Sequence, residues 1–132
     1  MTGGDILGAL LRADPGILNK AAEASIKLGR LPDDVVLPAL LLRQISSVER
    51  QALKRPANVK TFDRIAVTVR AASYRQMKEL VALIIQLLAG RTGDLGGATG
   101  VAILLAGQGP DLNGPGNTFE RTINFRVSFD AQ

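Results

Sequence analysis

Apolar residues recur at helical spacing near the start of the chain, at Ile6, Leu7, Leu10 and Leu11 within the segment 5–13, and predict a helix there. Asp14-Pro15 follows, pairing an N-cap residue with a first-turn proline, and opens a second short helix. Between Ser25 and Pro32, Ile26 and Leu28 flank the charged Lys27 before Gly29 and Pro32 punctuate the run, which predicts a short edge strand. Asp33-Asp34 reads as a solvated turn. The segment 38–46 is apolar on both faces at its start, as a central strand is, with a helix as the competing reading. From Ser47 to Thr61 no apolar period is sustained and Pro56 cuts the chain, so this segment reads as a long excursion between two strands.

The alternation is cleanest over 64–70, where Ile65, Val67 and Val69 point one way and Arg64, Ala66, Thr68 and Arg70 the other. Ser73 and Gln76 then stand at capping-box spacing. The stripe Met77, Leu80, Val81, Ile84, Leu87 and Leu88, closed by Gly90, predicts the main helix over 74–89. Five glycines between Gly90 and Gly100 read as a flexible connection, Val101 to Ala106 as a short buried strand, and Gly107 to Gly116 as a turn-rich loop. A last alternating run over 120–129 puts Ile123, Phe125, Val127 and Phe129 inward and Thr122, Asn124, Arg126 and Ser128 outward, in a hairpin with the strand before it. No internal repeat is present. The expected fold is α+β: a single antiparallel or mixed sheet of about four to five strands, with the main helix and the N-terminal helices packed on one face.

Length and composition narrow the function more than the fold. At 132 residues the chain suits one domain over 1–132. Apolar residues at 46 % and charged residues at 21 % describe a folding chain. Aromatic residues make up only 4 % and Trp is lacking, so few side chains could stack on unpaired bases. The longest apolar stretch, 80–89, is interrupted by Gln86 and is about half of what a membrane span needs. The first residues carry no basic segment leading into an apolar run, and the expected compartment is the cytoplasm.

The sequence contains no cysteine and no histidine, which removes disulfides, thiolate and imidazole metal ligands, Ser-His and Cys-His relays and the usual neutral-pH proton shuttle. Asp33-Asp34 is the one adjacent carboxylate pair, and it sits in a turn. The glycine-rich stretch 90–100 lacks the Gly-Lys-Ser/Thr ending of a phosphate loop and follows a helix, where such a loop follows a strand. Gly107-Gln-Gly109 is a turn. The expectation is a protein without catalytic residues, cofactor or metal.

A basic segment changes the picture. From Arg43 to Arg64 there are six cations against Glu49 and Asp63, a balance equal to the +4 of the whole chain. Cations gathered in this way suit DNA phosphates or an acidic protein surface. Arg50, Lys54, Arg55 and Lys60 are the candidate partner-facing or DNA-facing residues. No helix-turn-helix, zinc module or RNA-binding aromatic pair accompanies them.

The order of three blocks carries a resemblance. Pro38-Ala-Leu-Leu-Leu-Arg-Gln-Ile-Ser46 resembles the proline-led strand of the tail-completion and tail-terminator proteins of long-tailed bacteriophages and prophages. Arg64-Ile-Ala-Val-Thr-Val-Arg-Ala-Ala-Ser-Tyr74 is similar to that family's strand running into a capped helix, and Phe119 to Phe129 to its terminal strand. Two features depart from the pattern: Leu40 to Leu42 stand where an aromatic residue is expected, and the 107–116 loop is long.

The resemblance implies a virion protein assembled in the host bacterial cytoplasm. It would form a ring, a hexamer, at the head-proximal end of the tail tube, capping tube polymerisation and meeting the tube protein and the head connector. DNA in the lumen would make only non-specific contact, and no membrane is involved. Two other readings stand beside it: a small DNA-binding or regulatory module using the basic segment 43–64, and a neighbouring head-tail adaptor protein.

Overall fold

The computed structural model describes residues 2–32, 34–50 and 59–131. The first helix, α1 (Gly3–Ala13), starts three residues before its apolar stripe because Thr2 caps it. The Thr2 hydroxyl accepts from the Asp5 amide, and the Asp5 carboxylate accepts from the Thr2 amide, the reciprocal capping arrangement. Asp14 ends this helix and caps the next, α2 (Pro15–Leu18), accepting from the Ile17 amide at 3.0 Å. A short 3₁₀ turn, Glu23–Ser25, leads into β1 (Ile26–Leu28).

Six further strands follow, with the main helix α3 (Tyr74–Leu88) among them: β2 (Ala39–Glu49), β3 (Val59–Ala71), β4 (Thr92–Leu95), β5 (Ala98–Gln108), β6 (Leu112–Gly114) and β7 (Thr118–Ala131). They form one mixed sheet in the order β1-β2-β3-β7-β5-β4, with β6 hydrogen-bonded to β7. Only β1 runs parallel to its neighbour, β2, and the other pairs are antiparallel. The class is therefore the expected one, but among the described residues the sheet has seven strands where about four to five were expected.

Two strands were hidden in segments read as loops. In the glycine-rich stretch 90–100, β4 turns back on β5 through Gly96 and Gly97, whose φ values of 57° and 84° make the left-handed two-residue turn of a tight hairpin. At Gly96 a Cβ would lie 2.9 Å from the Ile6 carbonyl oxygen of α1, so the hairpin tip packs where only glycine fits. Within 107–116, β6 adds to the outer end of β7.

The excursion expected over 47–61 is shorter than the sequence suggested. The hairpin ladder between β2 and β3 continues through Ser47↔Asp63, Val48↔Phe62 and Glu49↔Thr61. Backbone pairing alone extends it where the side chains show no period. Likewise β5 is longer than the expected 101–106, and its second half is not buried, since Leu104 and Leu105 face solvent.

All three helices lie on one face. Ile6, Leu7 and Leu11 of α1, Ile17 of α2 and Met77, Leu80, Val81, Ile84 and Leu88 of α3 close a single apolar cluster over Leu40, Leu42, Ile65, Val67, Val69, Ile103, Ile123, Phe125, Val127 and Phe129. Ser73 caps α3 by accepting from the Gln76 amide at 3.2 Å, and Gly90 follows the helix with φ 80°. A buried carboxylate enters the helix-covered side. Asp63 is 2 % exposed and accepts from the Gly3 amide at 2.7 Å, so a carboxylate meets the positive end of α1. A Cβ on Gly3 would come 2.9 Å from the Cβ of Asp63, which explains a glycine at this contact.

Candidate assembly surface

Among the described residues no helix covers the other face of the sheet, and strand alternation decides what it displays. On β3 the odd-numbered residues from Asp63 to Val69 face the helices, so Lys60, Phe62, Arg64, Ala66, Thr68 and Arg70 face away. Residues opposite one another in a ladder share a face, which adds Ser46 and Val48 from β2, Asn124, Arg126 and Ser128 from β7, and Leu104 from β5.

The charges on this face fall into zones. At one end Lys60 pairs with Asp130 at 3.3 Å and donates to the Gly100 carbonyl at 2.9 Å. At the other end Arg70 pairs with Glu120 at 3.3 Å and donates to the Pro32 carbonyl, while Thr68 and Thr122 share a hydrogen bond of 2.9 Å. Between these neutralised ends Arg43, Arg64 and Arg126, and beside Lys60 Arg50, have no ion-pair partner among the described residues.

Arg64 and Arg126 are direct cross-strand partners, an arrangement of like charges that costs stability. They lean apart. Arg64 donates to the Ala106 carbonyl at 3.4 Å, and the Arg126 guanidinium lies 4.9 Å from the centre of the Phe62 ring. Together with Ser46, Val48, Arg50 and Phe62 they line an open groove of about 520 Å³. The groove has cationic walls and an apolar floor. Among the described residues no group of three or more Asp or Glu side chains is placed to hold a metal ion.

The residues singled out from the sequence divide accordingly. Arg50 lies at the exposed end of β2 and lines the groove. Lys60 is tied to Asp130 and Gly100, so much of its charge is spent within the subunit. Lys54 and Arg55 lie outside the described residues. Arg126 and Phe62 were missed. Alternation alone placed Arg126 on the outward face, but only the β3–β7 register brings it opposite Arg64.

A second polar cluster fastens the 109–117 connection away from the groove. Asp111 accepts from Arg121 at 2.6 Å and from the Tyr74 hydroxyl at 2.9 Å. The Arg121 guanidinium, helped by that hydroxyl, holds the Asp111 carboxyl below the ordinary aspartate value.

A sheet backed by helices on one side and basic and grooved on the other is the frame of a structural subunit. The chain matches the family "Tail completion protein gp17" over residues 6–130, and it belongs to that family. It is a structural component of a phage-like virion tail.

Among solved structures, a chain from the virion of a native gene transfer agent particle is similar in fold, with a TM-score of 0.69 at 11 % identity, covering 98 % of this chain and 95 % of that one. A second solved structure gives a TM-score of 0.55 at 12 % identity, covering 100 % of this chain and 98 % of the other. No curated protein matches the sequence. No helix of the described residues is long and apolar enough to cross a membrane.

Proposed function

We propose that this protein is a tail terminator that acts as a single domain: six copies close a ring at the head-proximal end of the tail tube. The ring stops tube growth and joins the tube protein to the head connector. It works without catalysis or cofactor. The observation that carries this reading is the zone of uncompensated cations, Arg43, Arg50, Arg64 and Arg126, on the one sheet face without helices. With that face turned to the ring's axis, the helices form the outer wall and the arginines line a passage for DNA. Contacts of that kind are made to phosphates and are blind to sequence.

The reading is tested by solution mass measured with light scattering over a wide concentration range at low and high salt. A mass of six subunits, or growth toward it with concentration or on added tail tubes, is expected. A strict monomer that ignores tubes and holds duplex DNA tightly at low salt would instead establish the DNA-binding module. A second measurement concerns the arginines. Replacing Arg64→Glu and Arg126→Glu together should leave the mass unchanged. Any weak duplex binding should lose about two from its slope of log affinity against log salt, since each phosphate contact contributes about 0.9. An unchanged slope would remove these arginines from the lumen.

A further inference from the structure

Both margins of the sheet are only half covered. On one margin, β1 pairs with Leu40 to Leu42 of β2, and the Gly29 amide bonds to the Leu42 carbonyl. Beyond that point, among the described residues, nothing pairs with the outer edge of β2 from Arg43 to Glu49. Ile45 and Val48 there are 53 % and 60 % exposed. On the opposite margin, β4 covers β5 from Ala98 to Ala102, and Arg91 continues the contact as far as Ile103. The outer edge of β5 from Leu104 to Gln108 is open in the same sense, with Leu104 and Leu105 55 % and 41 % exposed. Edges with unpaired backbone groups and apolar side chains are templates for pairing with another chain, and soluble proteins usually cover or charge them.

We infer that the open edge of β2 in one copy pairs with the open edge of β5 in the next, so that the sheet runs on from subunit to subunit. This rests on the ring reading above and specifies its joint. Four features of the two edges fit each other. Direction is the first: β2 and β5 run oppositely within the subunit, so rotation about an axis along the strands brings them together antiparallel.

Shape is the second feature, because β1 blocks β2 beside its first half and β4 blocks β5 beside its first half. The two margins are stepped in opposite senses and can overlap like a lap joint. Charge is the third. Glu49 ends the open edge of β2, Arg91 stands at the start of the open edge of β5, and neither has an ion pair among the described residues. Antiparallel overlap sets them side by side. The fourth is curvature, since each open edge carries a bulge, between Gln44 and Ser46 and between Leu105 and Gly107. Bulges increase local bend and twist, as a sheet closing on itself requires. The joint uses two different surfaces of one chain, which is the kind of contact that closes rings.

The chain has no cysteine, so introduced pairs report cleanly. Val48→Cys or Ser46→Cys combined with Leu104→Cys should give, on oxidation of the assembled protein, a ladder of covalent oligomers up to the ring. Each single variant should give none. In parallel, Ile45→Asp with Val48→Asp spoils one edge, and Leu104→Asp with Leu105→Asp spoils the other. All four positions are exposed, so the monomer should keep its fold. Each variant alone should stay monomeric, and a mixture of the two should stop at the dimer. Should the wild type reach ring mass while no cysteine pair cross-links and both aspartate variants still form rings, the strand joint is overturned and the ring stands. Should the wild type assemble neither alone nor on tubes, the ring reading falls and takes the joint with it.

Discussion

Phe125→Ala is expected to destabilise the subunit by about 3–5 kcal/mol, read as a lower midpoint of urea unfolding with little change in slope. The side chain is fully buried and is among the largest in the core. It sits at the middle of β7, opposite Ile65 of β3 on one side and Leu105 of β5 on the other. Phe125→Leu should recover most of the loss, because it keeps much of the volume. A cost below about 1 kcal/mol for the alanine variant would mean that the sheet collapses onto the cavity, against the packing described.

Arg70→Ala is expected to cost about 3 kcal/mol, more than an exposed ion pair commands. The side chains of Arg70 and Glu120 are only 11 % and 19 % exposed, and Arg70 also donates to the Pro32 carbonyl. Removing the arginine strands both acceptors in a shielded place. The control is the double replacement Arg70→Met with Glu120→Leu, which removes the pair together and should cost much less than the single change. If Arg70→Met alone, which keeps an aliphatic stem but strands both acceptors, costs as little as the double variant, the loss in Arg70→Ala comes from the stem of Arg70 and not from the pair.

Legibility followed periodicity. The strand over 64–70, the strand over 120–129 and the helix over 74–89 could be read because burying one face imposes a period of two or of 3.6 on the apolar residues. Asp14-Pro15 gave the start of α2 for the same local reason: the cap is written in adjacent residues. The tail-completion resemblance, which rested on blocks built around β2, β3 and β7, agreed with the family match over residues 6–130. What escaped was structure held by backbone. Thr92-Gly-Asp-Leu95 has no apolar alternation to announce β4, and its turn uses two glycines that equally suit a loose connection. The N-cap at Thr2 could have been found, since Thr2 and Asp5 stand three apart before an apolar run.

The surface was legible only residue by residue. A cluster of cations could be counted in the segment 43–64, but counting cannot tell a spent charge from a free one. Lys60 is neutralised by Asp130, which is distant in sequence, and Arg64 is made conspicuous by Arg126, equally distant. Both facts depend on the order β2-β3-β7-β5, in which β7 enters between strands that precede it in the chain. No local pattern fixes that insertion, and with it goes the position of the groove.

That insertion has a consequence in time. A ribosome makes β7 after the other described strands, yet β3, β5 and β6 all pair with it, and it alone joins β2-β3 to β5-β4. Until it emerges, β5 has only the short β4 to pair with and the core lacks Ile123, Phe125, Val127 and Phe129. Chains stalled before Thr118 should therefore be digested by protease as fast as an unfolded polypeptide, and survival of a resistant fragment would show that the part before β7 folds alone. If they are digested, a nascent chain cannot engage a neighbour while it is being made, and the order of synthesis itself keeps half-built subunits out of the particle.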